Sequence, residues 1–233
     1  VQWALGNLPG GWHLVGYFKG FGADVIANDQ MGANNPEGVA ALQFLFDLQT
    51  QVLPTAPITG GNGLFSGQTA MWLDGSWAIQ RYSADPALDY DVAFWPSGPK
   101  GKFISSTGGH WSINAKTKHI EEAWRFLKYL TRTQSAETII SRHMRSLPGR
   151  QSAVPAWLDA AKAKGRPASA VIMGETVSKY ATFIPPVTYY NDFEPIMNRY
   201  CDHVRNGTMA PAAAAAAWAA EANAMIKATL ARD

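Results

Sequence analysis

Residues 74–77 bring three side-chain chemistries together within one short turn. Asp74 supplies a carboxylate, Ser76 a hydroxyl and Trp77 an indole, with Gly75 between them. An indole face covers apolar C–H groups, and carboxylate and hydroxyl groups form hydrogen bonds with hydroxyls. This combination suits a ligand that has one apolar face and a polar rim.

A second cluster of similar composition lies at residues 108–111. Gly108 and Gly109 leave backbone amides open beside the imidazole of His110 and the indole of Trp111. A pyranose ring has one apolar C–H face that an indole can cover and a rim of hydroxyls that Asp, His and backbone groups can bind. The two clusters therefore indicate a carbohydrate site. Burial of both tryptophans in a core is the alternative, and composition alone favours it.

The sequence contains no recognised motif for catalysis or metal binding. The five histidines form no i, i+4 pair, and the single cysteine, Cys201, excludes intrachain disulfides and multi-cysteine metal sites. P-loop, dinucleotide-binding and nucleophile-elbow patterns do not occur. We predict no catalytic residue, no metal and no cofactor. A glycosidase-like pair among the 18 Asp and Glu residues stays open as the enzymatic alternative.

Composition predicts a protein with a substantial core. Of the 233 residues, 47% are hydrophobic and 16% are charged, against about 25% charged in an average soluble domain. The net charge is +2 and no basic run occurs, which argues against nucleic acid and anionic membranes as partners. No apolar stretch reaches the length of about 18 residues that a membrane span needs, and the first residues lack the features of a signal peptide.

Hydrophobic periodicity predicts helices interleaved with a few short strands, which favours an α/β fold. Asn35 is expected to cap one helix, and Asn191 with Glu194 to form a capping box for another. Cys201 lies on an apolar helical stripe and is expected to be buried. Helices are predicted over 11–22, 36–48, 120–130, 137–142, 155–164, 169–180, 191–206 and from 211 onward, and strands over 70–73, 90–94 and within 102–115.

At the two clusters the sequence resembles the extracellular solute-binding proteins of bacterial ABC importers, in the sugar-binding, maltose-binding-protein-like branch. Matching signatures occur in order along essentially the whole chain. They are NPEGV at 35–39, FSGQTAMWLDGSWA at 65–78, YDVAFWP at 90–96, TGG at 107–109 before WSI at 111–113, EAWRFL at 122–127 and SLPGR at 146–150.

The resemblance implies a periplasmic-binding-protein type II fold, in which two lobes clamp a sugar and deliver it to ABC permease subunits. It assigns residues 1–100 and 150–233 to the C-terminal lobe and 101–149 to a segment that normally crosses into the N-terminal lobe. The rest of the N-terminal lobe is expected to be missing. Helix 120–130 is expected to dock on that lobe as a separate polypeptide, with a symmetry-related copy of the chain as the alternative. The implied location is periplasmic or extracellular, with a lipoprotein anchor left open.

The resemblance also implies roles for individual residues. Trp77 falls where the family places a ring that stacks on the sugar, and Gly108 and Gly109 fall on its cleft-lining strand. Trp12 lies near another aromatic position. A carbohydrate-active hydrolase and a lobe acting as a non-binding interaction module are the alternative functions. The complete set of predicted ligand-binding residues is Trp77, Asp74, Gly75, Gly108, Gly109, His110, Trp111, Trp12, Tyr189 and Tyr190.

Overall fold

The computed structural model describes residues 3–54, 63–108, 110–144 and 146–232. Helices alternate with short strands, as the α/β prediction requires. The strands are β1 (Trp3–Leu5), β2 (Ile26–Ala27), β3 (Gln30–Met31), β4 (Thr69–Met71), β5 (Ile104–Ser106) and β6 (Ala181–Phe183). The helices are α1 (His13–Phe21), α2 (Pro36–Gln51), α3 (Ile79–Ala84), α4 (Ile120–Thr131), α5 (Thr133–Ser135), α6 (Val154–Lys164), α7 (Val171–Tyr180), α8 (Tyr190–Arg205) and α9 (Pro211–Leu230).

The chain forms two compact units, each with its own cluster of buried apolar side chains. The first unit contains Val1–Leu73, Trp95–Ser106 and Tyr180–Asp233, and the second contains Asp74–Phe94 and Thr107–Lys179. The assignment of residues 1–100, 101–149 and 150–233 to lobes of the family stays a prediction.

The strands that the structure describes in the first unit form three short pairs, and only one of them is local in sequence. Strand β1 pairs in parallel with β4, and β5 pairs in parallel with β6. Strands β2 and β3 form an antiparallel hairpin whose two connecting residues, Asn28 and Asp29, have φ values of 51° and 53°. Positive φ at both central positions matches the twist of a two-residue hairpin, and Asn and Asp adopt it more readily than most residues.

Helix α1 of the first unit is anchored on β5 by a serine. The amide of Gly16 donates to Ser105 Oγ at 2.6 Å, and this hydroxyl donates to the carbonyl of His13 at 2.9 Å. The helix ends at Gly22 in the left-handed conformation, with φ 99°, so the predicted helix over 11–22 is confirmed.

Helices α2, α8 and α9 supply most of the first unit's core. The Asn35 side chain accepts a hydrogen bond from the Gly38 amide at 2.8 Å, which confirms the predicted cap of α2. Phe193 of α8 and Trp218 of α9 are fully buried, with ring centroids 5.9 Å apart. Cys201 is also fully buried, as predicted, and burial raises the pKa of its thiol to about 12.

The predicted capping box at the start of α8 is wrong. Helix α8 begins one residue before Asn191, at Tyr190, and no side chain caps it. Tyr190 is buried, with its ring centroid 6.3 Å from that of Phe193. Glu194 lies close to Gly11 instead, since a Cβ on that glycine would be 2.8 Å from Glu194 Oε1. Aromatic packing at the helix start therefore decides the boundary.

The second unit is organised around the fully buried Trp157 of α6. Ile79 of α3 and Met144 belong to the same buried cluster. Helices α6 and α7 match the predictions for 155–164 and 169–180 closely. Residues 137–142, predicted to be α-helical, form a π-helical turn over Ala136–Ser141.

The strand predicted at 90–94 is absent from the described part of the second unit. The Asp91 carboxylate explains this difference, because it accepts hydrogen bonds from the amides of Val92 at 2.9 Å and Ser169 at 2.8 Å. Side-chain acceptors of this kind compete with a strand for backbone donors. These hydrogen bonds and one from the Ser169 hydroxyl outweigh the effect of burial and lower the pKa of Asp91.

Helix α4 has no buried residue, although it occupies the predicted position. Trp124 is 47% exposed and Phe126 is 62% exposed, while Leu127 is half-buried. The expectation that this apolar stripe packs against another lobe stays a prediction.

Candidate functional site

The turn at residues 74–77 presents an indole at the surface of the second unit. A 3₁₀ turn over Ser76–Ala78 follows Gly75 and leads directly into α3. Its closing hydrogen bond runs from the Ala78 amide to the Gly75 carbonyl, at 3.0 Å. Ala78 and Ile79 are buried, but Trp77 is 48% exposed. Trp77 is therefore not a core residue, in contrast to the alternative that composition favoured.

The carboxylate of Asp74 is engaged by groups of its own unit. Its Oδ1 accepts from the Gly75 amide at 2.8 Å, and its Oδ2 accepts from the Tyr82 hydroxyl at 2.6 Å. Nη2 of Arg81 lies 3.7 Å from the same Oδ2, and the Arg81 guanidinium lies 5.3 Å from the centroid of the Tyr82 ring. Sequence reasoning missed both partners. The sequence feature that could have indicated the hydrogen bond is Tyr82, which lies on the helix that follows the turn.

The cluster at 108–111 is open to solvent. Gly108 and His110 are exposed, and Trp111 is 61% exposed. A Cβ on Gly108 would meet no atom within 4 Å, so backbone crowding does not require glycine there. Gly109 lies outside the described residues. The structure thus presents a second exposed indole in the same unit as Trp77.

Trp12 belongs to the first unit and precedes α1. Its ring stacks on His13, with centroids 3.9 Å apart and planes inclined by 26°. The preceding residue is fixed to α8, because the Gly11 amide donates to Asn198 Oδ1 at 2.8 Å. Trp12 itself is half-buried. One indole face is therefore directed at the imidazole of His13.

The predicted contact residues Tyr189 and Tyr190 lie in the core of the first unit. They are 1% and 7% exposed. The Tyr189 hydroxyl donates to Asp29 Oδ1 at 2.7 Å, and burial together with this hydrogen bond raises its pKa to about 12. Burial, helped by the charge of Glu194, also raises the pKa of Tyr190. Both side chains therefore have a packing role, and ligand contact by either stays a prediction.

Among the residues that the structure describes, no group of three or more His, Cys, Asp or Glu side chains is arranged to hold a metal ion. No helix in this part of the chain combines the length and apolar character that a membrane span needs.

A match to a family model assigns this chain to a protein family. The model of bacterial extracellular solute-binding proteins matches residues 1–137, which include both exposed clusters. The chain belongs to this family. The match confirms the family resemblance found in the sequence. Among proteins of curated function the sequence has no match.

Solved structures of binding proteins have a fold similar to that of this chain. The GacH receptor of Streptomyces glaucescens, studied unliganded and with acarbose, has a TM-score of 0.79 at 21% identity over 97% of this chain. An ABC substrate-binding protein from Listeria monocytogenes in complex with cycloalternan has a TM-score of 0.78 at 20% identity over 99% of this chain. UgpB from Mycobacterium tuberculosis in complex with glycerophosphocholine has a TM-score of 0.77 at 16% identity over 94% of this chain.

These likenesses confirm the periplasmic-binding-protein type II fold of the solute-binding protein. The chain spans 60%, 59% and 56% of the lengths of the three solved chains, respectively.

Proposed function

We propose that the whole protein binds a carbohydrate in the cleft between two lobes and delivers it to the permease subunits of an ABC importer. The chain belongs to the bacterial extracellular solute-binding family. The observation that carries the carbohydrate assignment is the exposed indole of Trp77 on a turn whose neighbouring residues are buried. The GacH receptor and the Listeria protein, two of the fold relatives, have been solved with acarbose and cycloalternan.

Trp77 supplies the apolar surface against which the sugar packs. A partly exposed indole keeps a face that can cover the C–H groups of a pyranose, and removing those groups from water stabilises the complex. Trp111 gives the same unit a second indole, with His110 beside it as a hydrogen-bonding group. Trp12 lies in the first unit, and its contact with the ligand stays a prediction.

The proposed role is binding and release without chemical change to the sugar. The relatives described above are receptors and substrate-binding proteins. Such a protein acts in the periplasm or outside the cell, where it collects the ligand and presents it to the permease. A hydrolase would instead need two carboxylic groups positioned on either side of a glycosidic bond.

The test is calorimetric titration of the whole protein with acarbose, cycloalternan and glycerophosphocholine. The proposal predicts saturable heat with at least one of the two saccharides, and unchanged saccharide on chromatography after prolonged incubation. Shortened saccharide products would establish the hydrolase instead. Absence of heat with both saccharides would contradict the proposal.

Glycerophosphocholine tests a second ligand class that the UgpB likeness favours. Its quaternary ammonium group is attracted to indole faces, so Trp77 and Trp111 could serve it as well as a sugar. Binding of glycerophosphocholine with no saccharide binding would assign the protein to glycerophosphodiester uptake.

A further inference from the structure

Gly75 leaves the space that the Trp77 indole occupies. A Cβ built on Gly75 would lie 2.1 Å from Cη2 and from Cζ3 of Trp77, and 2.5 Å from its Cε3. The backbone of Gly75 has φ −100° and ψ 170°, an extended conformation that any residue adopts. Glycine is therefore needed here for the indole and not for the backbone.

Asp74 fixes the peptide that carries this glycine. Its carboxylate holds the Gly75 amide on one oxygen and the Tyr82 hydroxyl of α3 on the other, at 2.8 and 2.6 Å. The carboxylate thus ties the residue before the 3₁₀ turn to the helix after it. The Asp74 side chain is 20% exposed, so its carboxylate is largely enclosed by these partners.

Ser76 fixes the turn from a third direction. Its hydroxyl oxygen accepts a hydrogen bond from the Leu147 amide at 3.3 Å. Asp74 and Ser76 therefore each tie the turn that carries Trp77 to another part of the unit. The backbone of Trp77 is held on its other side by the buried Ala78.

We propose that Asp74 and Gly75 are positioning residues for the Trp77 indole and do not themselves contact the sugar. This inference rests on the proposed function and gives the two residues a different role from the ligand contact expected from the sequence. The ligand-facing group of this turn is then the indole alone. Asp74 acts through the backbone, and Gly75 acts by having no side chain.

The first test requires no ligand. The protein is labelled with 5-fluorotryptophan, and the ¹⁹F resonance of Trp77 is assigned by its absence from Trp77→Phe. Gly75→Ala should shift this resonance, because the new methyl group and the indole cannot occupy the same space. Gly149→Ala is the matched control, since a Cβ there meets no atom within 4 Å. An unshifted Trp77 resonance in Gly75→Ala would overturn the role of Gly75.

Asp74→Ala gives an independent structural test. Loss of the carboxylate frees the Gly75 amide and the Tyr82 hydroxyl, so the Trp77 resonance should shift or broaden in this variant too. The resonances of the other tryptophans report whether the fold persists. A Trp77 resonance that keeps its position and width would overturn the role of Asp74.

The second test uses acarbose affinity in a double-mutant cycle. In the wild-type background, Gly75→Ala and Asp74→Ala should each weaken acarbose binding by about fivefold or more, a change typical of losing one important contact. In the Trp77→Ala background, each should change the affinity by less than about twofold, because the group on which they act is gone. A full additional loss from Asp74→Ala in that background would show direct sugar contact and overturn the proposal.

The two tests separate the positioning role from the proposed function. If the wild-type protein gives no heat with acarbose or cycloalternan, the carbohydrate function fails while the ¹⁹F shifts still report the positioning. If the wild type binds acarbose and the Trp77 resonance does not shift in Gly75→Ala, the positioning inference fails and the carbohydrate function stands.

Discussion

Gly16 of α1 lies so close to Ser105 of β5 that a Cβ on the glycine would be 2.4 Å from the Ser105 amide nitrogen. The obstacle is backbone, which cannot rotate away as a side chain can. Gly16→Ala should therefore force α1 off the strand and lower the free energy of unfolding by about 1–3 kcal/mol, even though alanine favours helix. Urea unfolding followed by circular dichroism measures the change.

Gly10→Ala is the control for this substitution. It lies in the same unit, and a Cβ there would meet no atom within 4 Å. If both variants unfold at the same urea concentration as wild type, the close approach of α1 to β5 is wrong.

Ser105→Ala removes the hydroxyl that joins the two elements without adding bulk. The Gly16 amide and the His13 carbonyl both lose a partner. Since each lost hydrogen bond costs about 0.5–1.5 kcal/mol, we expect a loss of about 1–2 kcal/mol in the free energy of unfolding. Ser178→Ala, whose exposed hydroxyl donates only to the Glu175 carbonyl of its own helix turn, should leave stability nearly unchanged. Equal stability of the two variants would contradict the bridging role of Ser105.

Tyr189→Phe should destabilise the protein in a pH-dependent way. Near neutral pH the loss of the hydrogen bond to Asp29 should cost about 1–2 kcal/mol. Burial and Asp29 raise the pKa of Tyr189 from 10.0 to about 12, so the unfolded chain loses the phenolic proton first as the pH rises. The stabilisation is complete below pH 10 and is lost between pH 10 and 12.

Stability curves of wild type and Tyr189→Phe should accordingly converge over that alkaline range. Other buried tyrosines titrate equally in both proteins, so the difference isolates Tyr189. A gap that widened as the pH rose above 10 would contradict the assigned pKa direction.

Local signals predicted a helix well where residues next to its ends determine those ends. Asn35 caps α2 by reaching the Gly38 amide three residues away, and Gly22 ends α1 through its own backbone. Where a distant partner decides, the sequence prediction failed. Asp91 binds the amide and hydroxyl of Ser169, 78 residues away, and no strand forms at 90–94.

The candidate site shows the same difference between features that nearby residues predict and features that depend on tertiary contacts. The residue types of the 74–77 turn and the family signatures pointed to Trp77, and its exposure agrees with a surface role. They did not reveal that the Asp74 carboxylate is held by Tyr82, because that contact depends on how α3 follows the turn. Nor did they distinguish Tyr189 from a surface aromatic, since its burial depends on the β2–β3 hairpin that carries Asp29.

The most direct test of the central claim is the saccharide affinity of Trp77→Ala in the whole protein. Calorimetric titration with acarbose and cycloalternan should show binding by wild type and a loss of about 1–3 kcal/mol in Trp77→Ala, because a stacking aromatic is removed. Phe44→Ala is the matched control, since that ring lies on α2, outside the candidate site, and is exposed to a similar extent, 44% against 48%. It should bind as wild type does. Unchanged affinity in a correctly folded Trp77→Ala protein would contradict the account.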